Sequence, residues 1–437
     1  MKRQILHPLK RWKASPQRKP LVLMGARQVG KTTSLMQLAK AEYDNWAYLN
    51  FEDNPHLKAL FDVSLKPESL LKAMAIETGT DIQPERTLII LDEIQACPNA
   101  LNSLKYFNES ANAYHVVTAG SLLGVKLLNT HGFPVGKVDF MDMFPLSFLE
   151  FLEALGEIAL KDFLEKTTHE SIPGNLHEKC LQYFRYYLYI GGMPEAVVTY
   201  LNTQSLEQVR EVHQAILRAY SLDFSRHAPP NQIMRINQIW DSIPSQLAKE
   251  NKKFVYSILR EGARAKDFEI AIQWLYEAGL IYKIYNISAP RVPLKAYTHF
   301  EFFKLYLVDV GLLGAMTRLS AKTLLQGNQL FQEFRGSYIE NMAAQTLIQS
   351  HLEPYYWTSA GKAEIDFIFE HEGLVYPLEI KSGTSSKKKS LQSYIQKYHP
   401  SLAIKSSPMN LKKDDKILNC PLYLLERLAS LVGIASR

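Results

Sequence analysis

The sequence contains little cysteine and no long apolar segment. Its only cysteines are Cys97, Cys180 and Cys420, which are odd in number and too far apart to predict a disulfide framework or a zinc site. No apolar run reaches the roughly 18 residues that a membrane-spanning helix needs. The basic N-terminal segment also lacks the apolar stretch of a signal peptide. We therefore expect a cytoplasmic protein with no membrane partner.

Acidic residues are scarce at the C-terminal end. From residue 373 onwards the sequence has eleven Lys or Arg residues and four Asp or Glu residues, a net charge of +7. Because the whole chain has a net charge of +6, the residues before 373 are close to neutral. A basic region of this kind is typical of a module that binds a polyanion, and the alternative is a solvated charged surface. The 437 residues, of which 46% are hydrophobic, suffice for two to four globular domains.

The run GARQVGKTT at residues 25–33 matches the phosphate-binding pattern G-x-x-x-x-G-K-[ST]. An apolar strand at 21–24 precedes it and a helical stretch at 34–40 follows, which is the context that the motif requires. The loop amides would surround the phosphates of ATP, Lys31 would add a positive charge, and the Thr32 hydroxyl would ligate Mg²⁺. The predicted ATP-binding residues are Gly25, Ala26, Arg27, Gln28, Val29, Gly30, Lys31, Thr32 and Thr33.

Two further predicted strands carry polar residues at their carboxyl ends. The run TLIILDE at 87–93 is typical of a buried parallel strand. Asp92 would hold Mg²⁺ and Glu93 would polarise the attacking water. The run HVVTAGS at 115–121 would place Thr118 or Ser121 beside the γ-phosphate, although short polar residues after a strand are also common turn formers.

Lys137 and Arg226 are candidates for a cation that reaches the phosphates of a neighbouring subunit. The alternative for both is an ordinary surface charge. The middle of the chain predicts helices over 150–240, with a tight turn at Gly191-Gly192. Residues 241–286 are typical of a winged-helix module, with a helix that starts at Pro244. Such a module can enter a DNA groove or separate protein domains.

A second group of acidic residues follows in the C-terminal region. Glu340 lies in a predicted helix over 334–349, Asp366 in a strand over 364–369, and Glu379 and Lys381 in a strand over 374–381. A helix Glu, a strand Asp and then Glu-x-Lys on the next strand is the arrangement of the PD-(D/E)xK nuclease fold. Glu379 and Lys381 would point into one site, because residues i and i+2 of a strand share a face. Asp366, Glu379 and Glu340 would ligate Mg²⁺, and Lys381 would orient a water.

The basic loop with Lys387, Lys388 and Lys389 would hold a phosphate backbone. The alternative for the whole C-terminal group is a degenerate site made of solvated strand ends.

Several longer strings resemble a prokaryotic AAA+-like ATPase family with a C-terminal DUF4143 domain. They are the phosphate loop, LDEIQ, VTAGSLLG, FPVGKVDFMDMFPLSFLEF and YIGGMPEAV, and together they span nearly the whole chain. The resemblance implies ATP binding and hydrolysis, a sensor role for Thr118 or Ser121, and a nuclease-like fold for the C-terminal domain. It also implies a homo-oligomer, because AAA+ relatives usually need a residue from a neighbouring subunit.

We expect an α/β protein with a parallel P-loop NTPase (AAA+-like) sheet, a helical and winged-helix middle region, and a C-terminal α/β domain of the restriction-endonuclease type. The predicted domains are 1–150 (ATPase), 151–240 (helical lid), 241–300 (winged helix) and 301–437 (nuclease-like). The predicted function is ATP hydrolysis, with ATP and Mg²⁺ as cofactors, coupled to action on DNA. The alternative is a nucleotide-switched regulatory or defence ATPase whose C-terminal domain binds protein or RNA without cleavage. A small-molecule kinase is disfavoured because no acceptor pocket is recognisable.

Overall fold

The computed structural model describes residues 1–121, 136–249, 253–326, 332–359, 363–383 and 389–435. The chain divides into two compact units. Unit 1 consists of Met1–Phe144 and Glu277–Leu280, and unit 2 of Pro145–Tyr276 and Ile281–Arg437. Within the described ranges, no helix combines the length and the apolar character needed to cross a bilayer.

Unit 1 contains a five-stranded sheet in the order β2-β3-β4-β1-β5, and every neighbouring pair is parallel. The strands are β1 (Leu21–Met24), β2 (Asn45–Asn50), β3 (Thr87–Asp92), β4 (His115–Ala119) and β5 (Asp139–Asp142). The helices are α1 (Leu6–Ala14), α2 (Lys31–Glu42), α3 (Lys58–Val63), α4 (Pro67–Thr78) and α5 (Pro98–Ser110), with 3₁₀ turns at Pro55–Leu57 and Ile94–Ala96.

The central strands of this sheet are buried along their whole length, as their unbroken aliphatic runs predict. All six residues of β3 and all five of β4 are buried. Leu21 of β1 lies opposite Val117 of β4, and Leu88 of β3 lies opposite His115. Because the strands are parallel, their carboxyl ends meet at one edge, which is where such sheets bind ligands. The predicted parallel P-loop sheet is confirmed.

Unit 2 begins with helices that lead into a mixed sheet. The helices are α6 (Phe148–Ala154), α7 (Ile158–Lys166), α8 (Gly174–Ile190), α9 (Pro194–Thr203), α10 (Leu206–His227), α11 (Ile233–Leu247) and α12 (Ala265–Glu277). Later helices are α13 (Val310–Met316), α14 (Ala321–Gln326), α15 (Gln332–Gln349), α16 (Lys389–Tyr398) and α17 (Leu428–Ala435). Among the described residues of this unit, 3₁₀ turns lie at Tyr256–Ile258, Leu294–Tyr297 and Leu422–Arg427.

The turn after α8 requires both of its glycines. Gly191 has φ 69° and ψ −165°, a combination that is essentially restricted to glycine. A Cβ atom on Gly191 would lie 2.2 Å from a carboxylate oxygen of Asp309, and one on Gly192 would lie 2.2 Å from the carbonyl oxygen of Leu146. The backbone of this turn therefore packs directly against its neighbours.

The prediction that a helix starts at Pro244 is wrong. Pro244 lies inside α11, which already begins at Ile233. Proline favours the first helical turn because it has no N–H to donate. Here the buried residues Ile236, Trp240 and Ile243 keep a helical spacing up to the proline, and burial of that face outweighs the lost hydrogen bond.

The sheet of unit 2 has eight strands in the order β12-β13-β11-β10-β9-β8-β6-β7. They are β6 (Ile281–Ile287), β7 (Thr298–Leu307), β8 (Tyr355–Ser359), β9 (Ala363–His371), β10 (Leu374–Ile380), β11 (Ala403–Ser407), β12 (Lys412–Asp414) and β13 (Ile417–Pro421). The predicted α/β class is confirmed. Strand β6 begins inside the segment that was predicted as a winged helix, and it pairs with β7 and β8. Strand β7 crosses the predicted domain boundary at residue 300. The winged-helix and nuclease-like folds stay predictions.

Candidate nucleotide site and C-terminal carboxylate cluster

The loop between β1 and α2 has the backbone that a phosphate-binding loop needs. Gly25, Gln28 and Gly30 have φ values of 143°, 65° and 96°, which glycine adopts most easily. A Cβ atom on Gly25 would lie 2.2 Å from the carbonyl oxygen of Met143, so no side chain fits there. The glycine spacing of the sequence motif therefore follows from the torsions of the loop and from the space around it.

Lys31 is the first residue of α2, and its side chain is buried. Its Nζ donates hydrogen bonds to the carbonyl oxygens of Gly25 and Ala26, both at 2.9 Å. Burial lowers the pKa of Lys31 to about 8, although the charges of Glu93 and Asp92 oppose the shift. A bound phosphate group would favour the charged form of this lysine and raise its pKa again.

Thr32, Asp92 and Tyr48 form a small group of oxygen atoms at the carboxyl end of the sheet. The Thr32 hydroxyl donates to Asp92 Oδ2 at 2.7 Å, and the Tyr48 hydroxyl donates to the same oxygen at 2.9 Å. Asp92 is buried, and burial raises its pKa while the two hydroxyl groups lower it. Hydroxyl and carboxylate oxygens are the ligands that Mg²⁺ prefers, so the predicted pair of Thr32 and Asp92 fits that ion.

Glu93 follows β3 in a left-handed conformation, with φ 49°. Its Oε2 accepts hydrogen bonds from the Ser121 hydroxyl at 3.1 Å and from the amide of Gln95. The structure thus brings together Glu93 and Ser121, which sequence reasoning placed on separate strands. Tyr48 and Gln95 were not predicted. Tyr48 lies within β2, and Gln95 lies in the 3₁₀ turn after β3. The only signal in the sequence is that Gln95 belongs to the string LDEIQ.

The remaining predicted loop residues surround this site. Arg27 lies 3.9 Å from a carboxylate oxygen of Glu52, and Thr33 lies in the first turn of α2. Arg3 was missed. Its guanidinium donates to the carbonyl oxygens of Val29 and Phe144, each at 2.7 Å. The N-terminal segment is rich in Lys and Arg, so nothing in the sequence distinguishes this arginine.

The two candidate trans-acting cations have ordinary local settings. Lys137 forms an ion pair of 2.9 Å with Glu109 on the surface of unit 1. Arg226 lies in the last turn of α10 in unit 2. A role for either residue in a neighbouring subunit stays a prediction.

Part of the predicted C-terminal group is assembled in unit 2. Lys381 Nζ lies 2.7 Å from Glu379 Oε1, as the i, i+2 spacing predicts. Asp366 Oδ2 accepts a hydrogen bond from the backbone N–H of Ile380 at 2.8 Å. Glu379 Oε2 is buried and has no hydrogen-bond partner in the part of the chain that the structure describes.

Glu340 is engaged elsewhere, by two residues that sequence reasoning missed. Its Oε1 lies 3.2 Å from Lys304 Nζ and accepts a hydrogen bond from the Tyr306 hydroxyl at 2.5 Å. Lys304 also pairs with Glu364 at 2.5 Å. Burial alone would lower the pKa of Lys304, but the charges of Glu340, Glu364 and Asp366 outweigh it and raise the pKa. A lysine inside the apolar run FFKLYL was the available signal.

Glu340, Asp366 and Glu379 are the three carboxylates that were predicted to ligate a metal ion. Within the described ranges, no three His, Cys, Asp or Glu side chains are arranged to hold a metal ion. Glu340, Asp366 and Glu379 are each bonded to a different protein donor. Lys387 and Lys388 lie outside the described residues, as does the side chain of Lys389.

Comparison with known families detects three domains. Residues 17–152 match an AAA domain, residues 181–323 match a domain of unknown function (DUF8612), and residues 335–425 match another (DUF4143). No curated protein matches the chain. The AAA match covers the phosphate loop, Asp92 and Glu93, so unit 1 carries a P-loop ATPase domain of the AAA type.

Solved structures to which this chain is similar include the Walker-type ATPase PABY2304 of Pyrococcus abyssi. It is 13% identical, with 71% of this chain and 94% of that chain covered and a TM-score of 0.45. The Aeropyrum pernix Orc1 protein in complex with DNA is 12% identical over 72% and 91% of the chains, with a TM-score of 0.29. The STAND protein PH0952 of Pyrococcus horikoshii, which has a tetratricopeptide repeat sensor, is 13% identical over 79% and 47%, with a TM-score of 0.28. Since each TM-score is below 0.5, the fold assignment rests on the sheet order and the AAA match.

Proposed function

We propose that this protein binds ATP with Mg²⁺ at the end of the unit 1 sheet and hydrolyses it. The contact of 2.7 Å between Thr32 Oγ1 and Asp92 Oδ2 carries the proposal. It joins the first turn of the helix after the phosphate loop to the end of β3. Two oxygen ligands for Mg²⁺ therefore lie beside a loop that is shaped for phosphate groups.

Each residue of this site has a distinct role in the proposal. The loop amides and Lys31 bind and orient the phosphates, and Thr32 and Asp92 hold Mg²⁺, which neutralises developing negative charge when bound. Glu93 accepts the proton of the attacking water. Ser121 holds the Glu93 carboxylate through its hydroxyl and backbone N–H, at 3.1 and 3.4 Å. Such a contact links the position of the base to the end of β4.

Steady-state ATP hydrolysis tests this proposal. Glu93→Gln is expected to reduce kcat by about 10²–10⁴-fold, because that is the range for loss of a positioned general base, while ATP still binds. Glu77→Gln is the matched control, since it makes the same chemical change in unit 1 at an exposed residue of α4. Hydrolysis by Glu93→Gln at the rate of the control would contradict the assigned role.

We further propose that DNA is the partner on which the ATPase acts. The surplus of Lys and Arg from residue 373 onwards supports this, because phosphate backbones are bound by such charge. ATP hydrolysis measured with and without single- and double-stranded DNA tests it. We expect stimulation by DNA that disappears in Glu93→Gln. Hydrolysis that is indifferent to DNA would favour the second candidate function.

The second candidate is a nucleotide-switched regulatory or defence ATPase whose C-terminal domain binds a protein or RNA partner without cleavage. The engagement of Glu340 by Lys304 and Tyr306 favours it over a Mg²⁺-dependent nuclease. DNA cleavage by the wild type that is lost in Asp366→Ala would exclude this candidate. Retained partner binding with no cleavage would support it.

Assembly and compartment complete the proposal. We infer a homo-oligomer that forms when ATP binds, because trans-acting residues complete many sites of this class. Light scattering with and without ATP is the test, and a monomer under both conditions would contradict it. All three cysteines are buried and free of disulfides, which supports a reducing compartment such as the cytoplasm.

A further inference from the structure

Lys304 lies at the centre of the C-terminal carboxylate cluster, by which we mean Lys304 with Glu340 and Glu364. It is on β7, Glu340 is on α15, and Glu364 is on β9. Its side chain is fully buried, and so is the Glu340 side chain, at 2% exposure. A buried lysine in the middle of a sheet is rare unless opposite charges surround it.

The ammonium group of Lys304 is enclosed on several sides. Its Nζ lies 3.2 Å from Glu340 Oε1, 2.5 Å from Glu364 Oε1, and 4.8 Å from the centre of the Tyr356 ring. Tyr306 lies two residues further along β7 and donates to the same Glu340 oxygen. Two carboxylates and the face of an aromatic ring are a complete environment for one cation.

A divalent metal ion does not fit the same carboxylates. Mg²⁺ needs oxygen ligands at about 2.0–2.1 Å in near-octahedral geometry, whereas Glu340 Oε1 already faces an ammonium group and a hydroxyl group. Asp366 Oδ2 accepts a hydrogen bond from the N–H of Ile380, and Glu379 Oε1 pairs with Lys381, whereas the buried Glu379 Oε2 has no partner among the described residues. Each carboxylate of the predicted nuclease metal site thus uses at least one of its oxygens to bond a protein donor in the fold.

We infer that the Lys304 ammonium is the resident cation of this cluster and takes the place that Mg²⁺ would have in a metal-dependent nuclease. The cluster of Lys304, Glu340 and Glu364 then connects three elements of unit 2. The inference builds on the second candidate function, in which the C-terminal domain binds its partner without cleavage. This inference is independent of ATP hydrolysis in unit 1.

Binding of Mn²⁺ to the full-length chain tests the inference directly. Asp92→Asn serves as the background, because it weakens the nucleotide-linked metal site of unit 1, and no nucleotide is added. Calorimetric titration with Mn²⁺ is expected to show no site in this background. A site of one Mn²⁺ per chain that disappears on adding Asp366→Asn or Glu340→Gln would overturn the inference.

Removal of the lysine should create the metal site. In the Asp92→Asn background, Lys304→Met is expected to bind one Mn²⁺ and to gain thermal stability when Mn²⁺ is added, and a further Glu340→Gln change should abolish both effects. Lys283→Met is the matched control, because Lys283 lies on the neighbouring strand over the rings of Tyr285 and Phe303. It should gain no site.

A second variant keeps the test decisive if Lys304→Met does not fold. Lys304→Gln retains a polar group of similar length and should gain the Mn²⁺ site, whereas Lys304→Arg should not, because it keeps the positive charge. If folded Lys304→Met and Lys304→Gln both fail to bind Mn²⁺, the ammonium does not take the place of a metal and the inference is wrong.

Discussion

The ion pair between Lys304 and Glu340 makes a quantitative prediction for stability. The two atoms are 3.2 Å apart and both side chains are buried, and removing one partner from such a pair typically costs about 3–5 kcal/mol. We expect Lys304→Met to lower the free energy of unfolding of unit 2 by about that amount, because Glu340 would keep a buried charge. Glu340→Gln should cost less, about 1–3 kcal/mol, since Lys304 keeps Glu364 and the Tyr306 hydroxyl keeps an acceptor.

The double variant shows whether the two residues act as a pair. Lys304→Met combined with Glu340→Gln should lose about 0.5–3 kcal/mol less than the sum of the single losses, which is the range for residues in contact. Because the chain has two units, urea unfolding should be followed by hydrogen exchange in peptides from β7 and α15, which report on unit 2 alone. Lys283→Met should change stability by less than about 1 kcal/mol, the usual strength of a half-exposed cation–π contact.

Additive losses in the double variant would refute the reasoning. They would mean that the two charges do not interact in the folded protein, although the structure places them in contact. A loss below about 1 kcal/mol in Lys304→Met would also refute it, because leaving a buried carboxylate without its partner should lower the free energy of unfolding by more than that.

Three further outcomes are expected. Arg3→Gln removes a donor to the Val29 carbonyl of the phosphate loop, so the Kd for ATP should rise by roughly tenfold, a loss of about 1.4 kcal/mol, in a fluorescent-nucleotide titration in which Arg11→Gln is unchanged. Because the pKa of Lys31 is about 8, ATP binding above that pH should take up a proton. Calorimetry in buffers of different ionisation enthalpy measures this, and equal heats in all buffers would contradict it. Burial raises the pKa of Asp309 to about 6, so its protonated form is favoured in the folded state and the unfolding free energy should fall as pH rises from about 4 to 6. Asp309→Asn should remove that part of the slope in urea titrations.

The residues of the candidate nucleotide site could be proposed from the sequence because they lie in short segments with recognisable patterns. Gly25, Gly30 and Lys31 lie within one loop, and Asp92 and Glu93 directly follow an aliphatic strand. The order of strands in the sheet was not needed for this prediction. Parallel strands place their carboxyl ends at one edge in any order, so acids that follow such strands meet the loop.

Other contacts of the same site depend on chain segments that carry no motif. Arg3 reaches the loop from the N-terminal segment, and Tyr48 reaches Asp92 from β2. Each is an ordinary residue among similar neighbours in the sequence. Only the fold brings Arg3 to the Val29 carbonyl and Tyr48 to Asp92.

In the C-terminal carboxylate cluster and the strand beside it, some contacts could be predicted from the sequence and others depend on the tertiary fold. The contact of Glu379 with Lys381 follows from the alternation of side chains along one strand, and the sequence alone predicts it. The pairing of Lys304 with two carboxylates could not be predicted in this way, because Lys304 lies 36 residues from Glu340 and 60 from Glu364 in the sequence.

The sequence by itself determined the residue types, the phosphate loop, the aliphatic strands and the α/β class, since each depends on torsions or on a period of a few residues. The tertiary structure decided which charges meet. It placed β6 and β7 in the same sheet as the C-terminal strands, which brought a lysine to carboxylates that otherwise have the pattern of a metal site. The physical reason is that a buried charge is stabilised by whichever opposite charge lies within a few ångströms, and that distance is set by the pairing of strands that are remote in the chain.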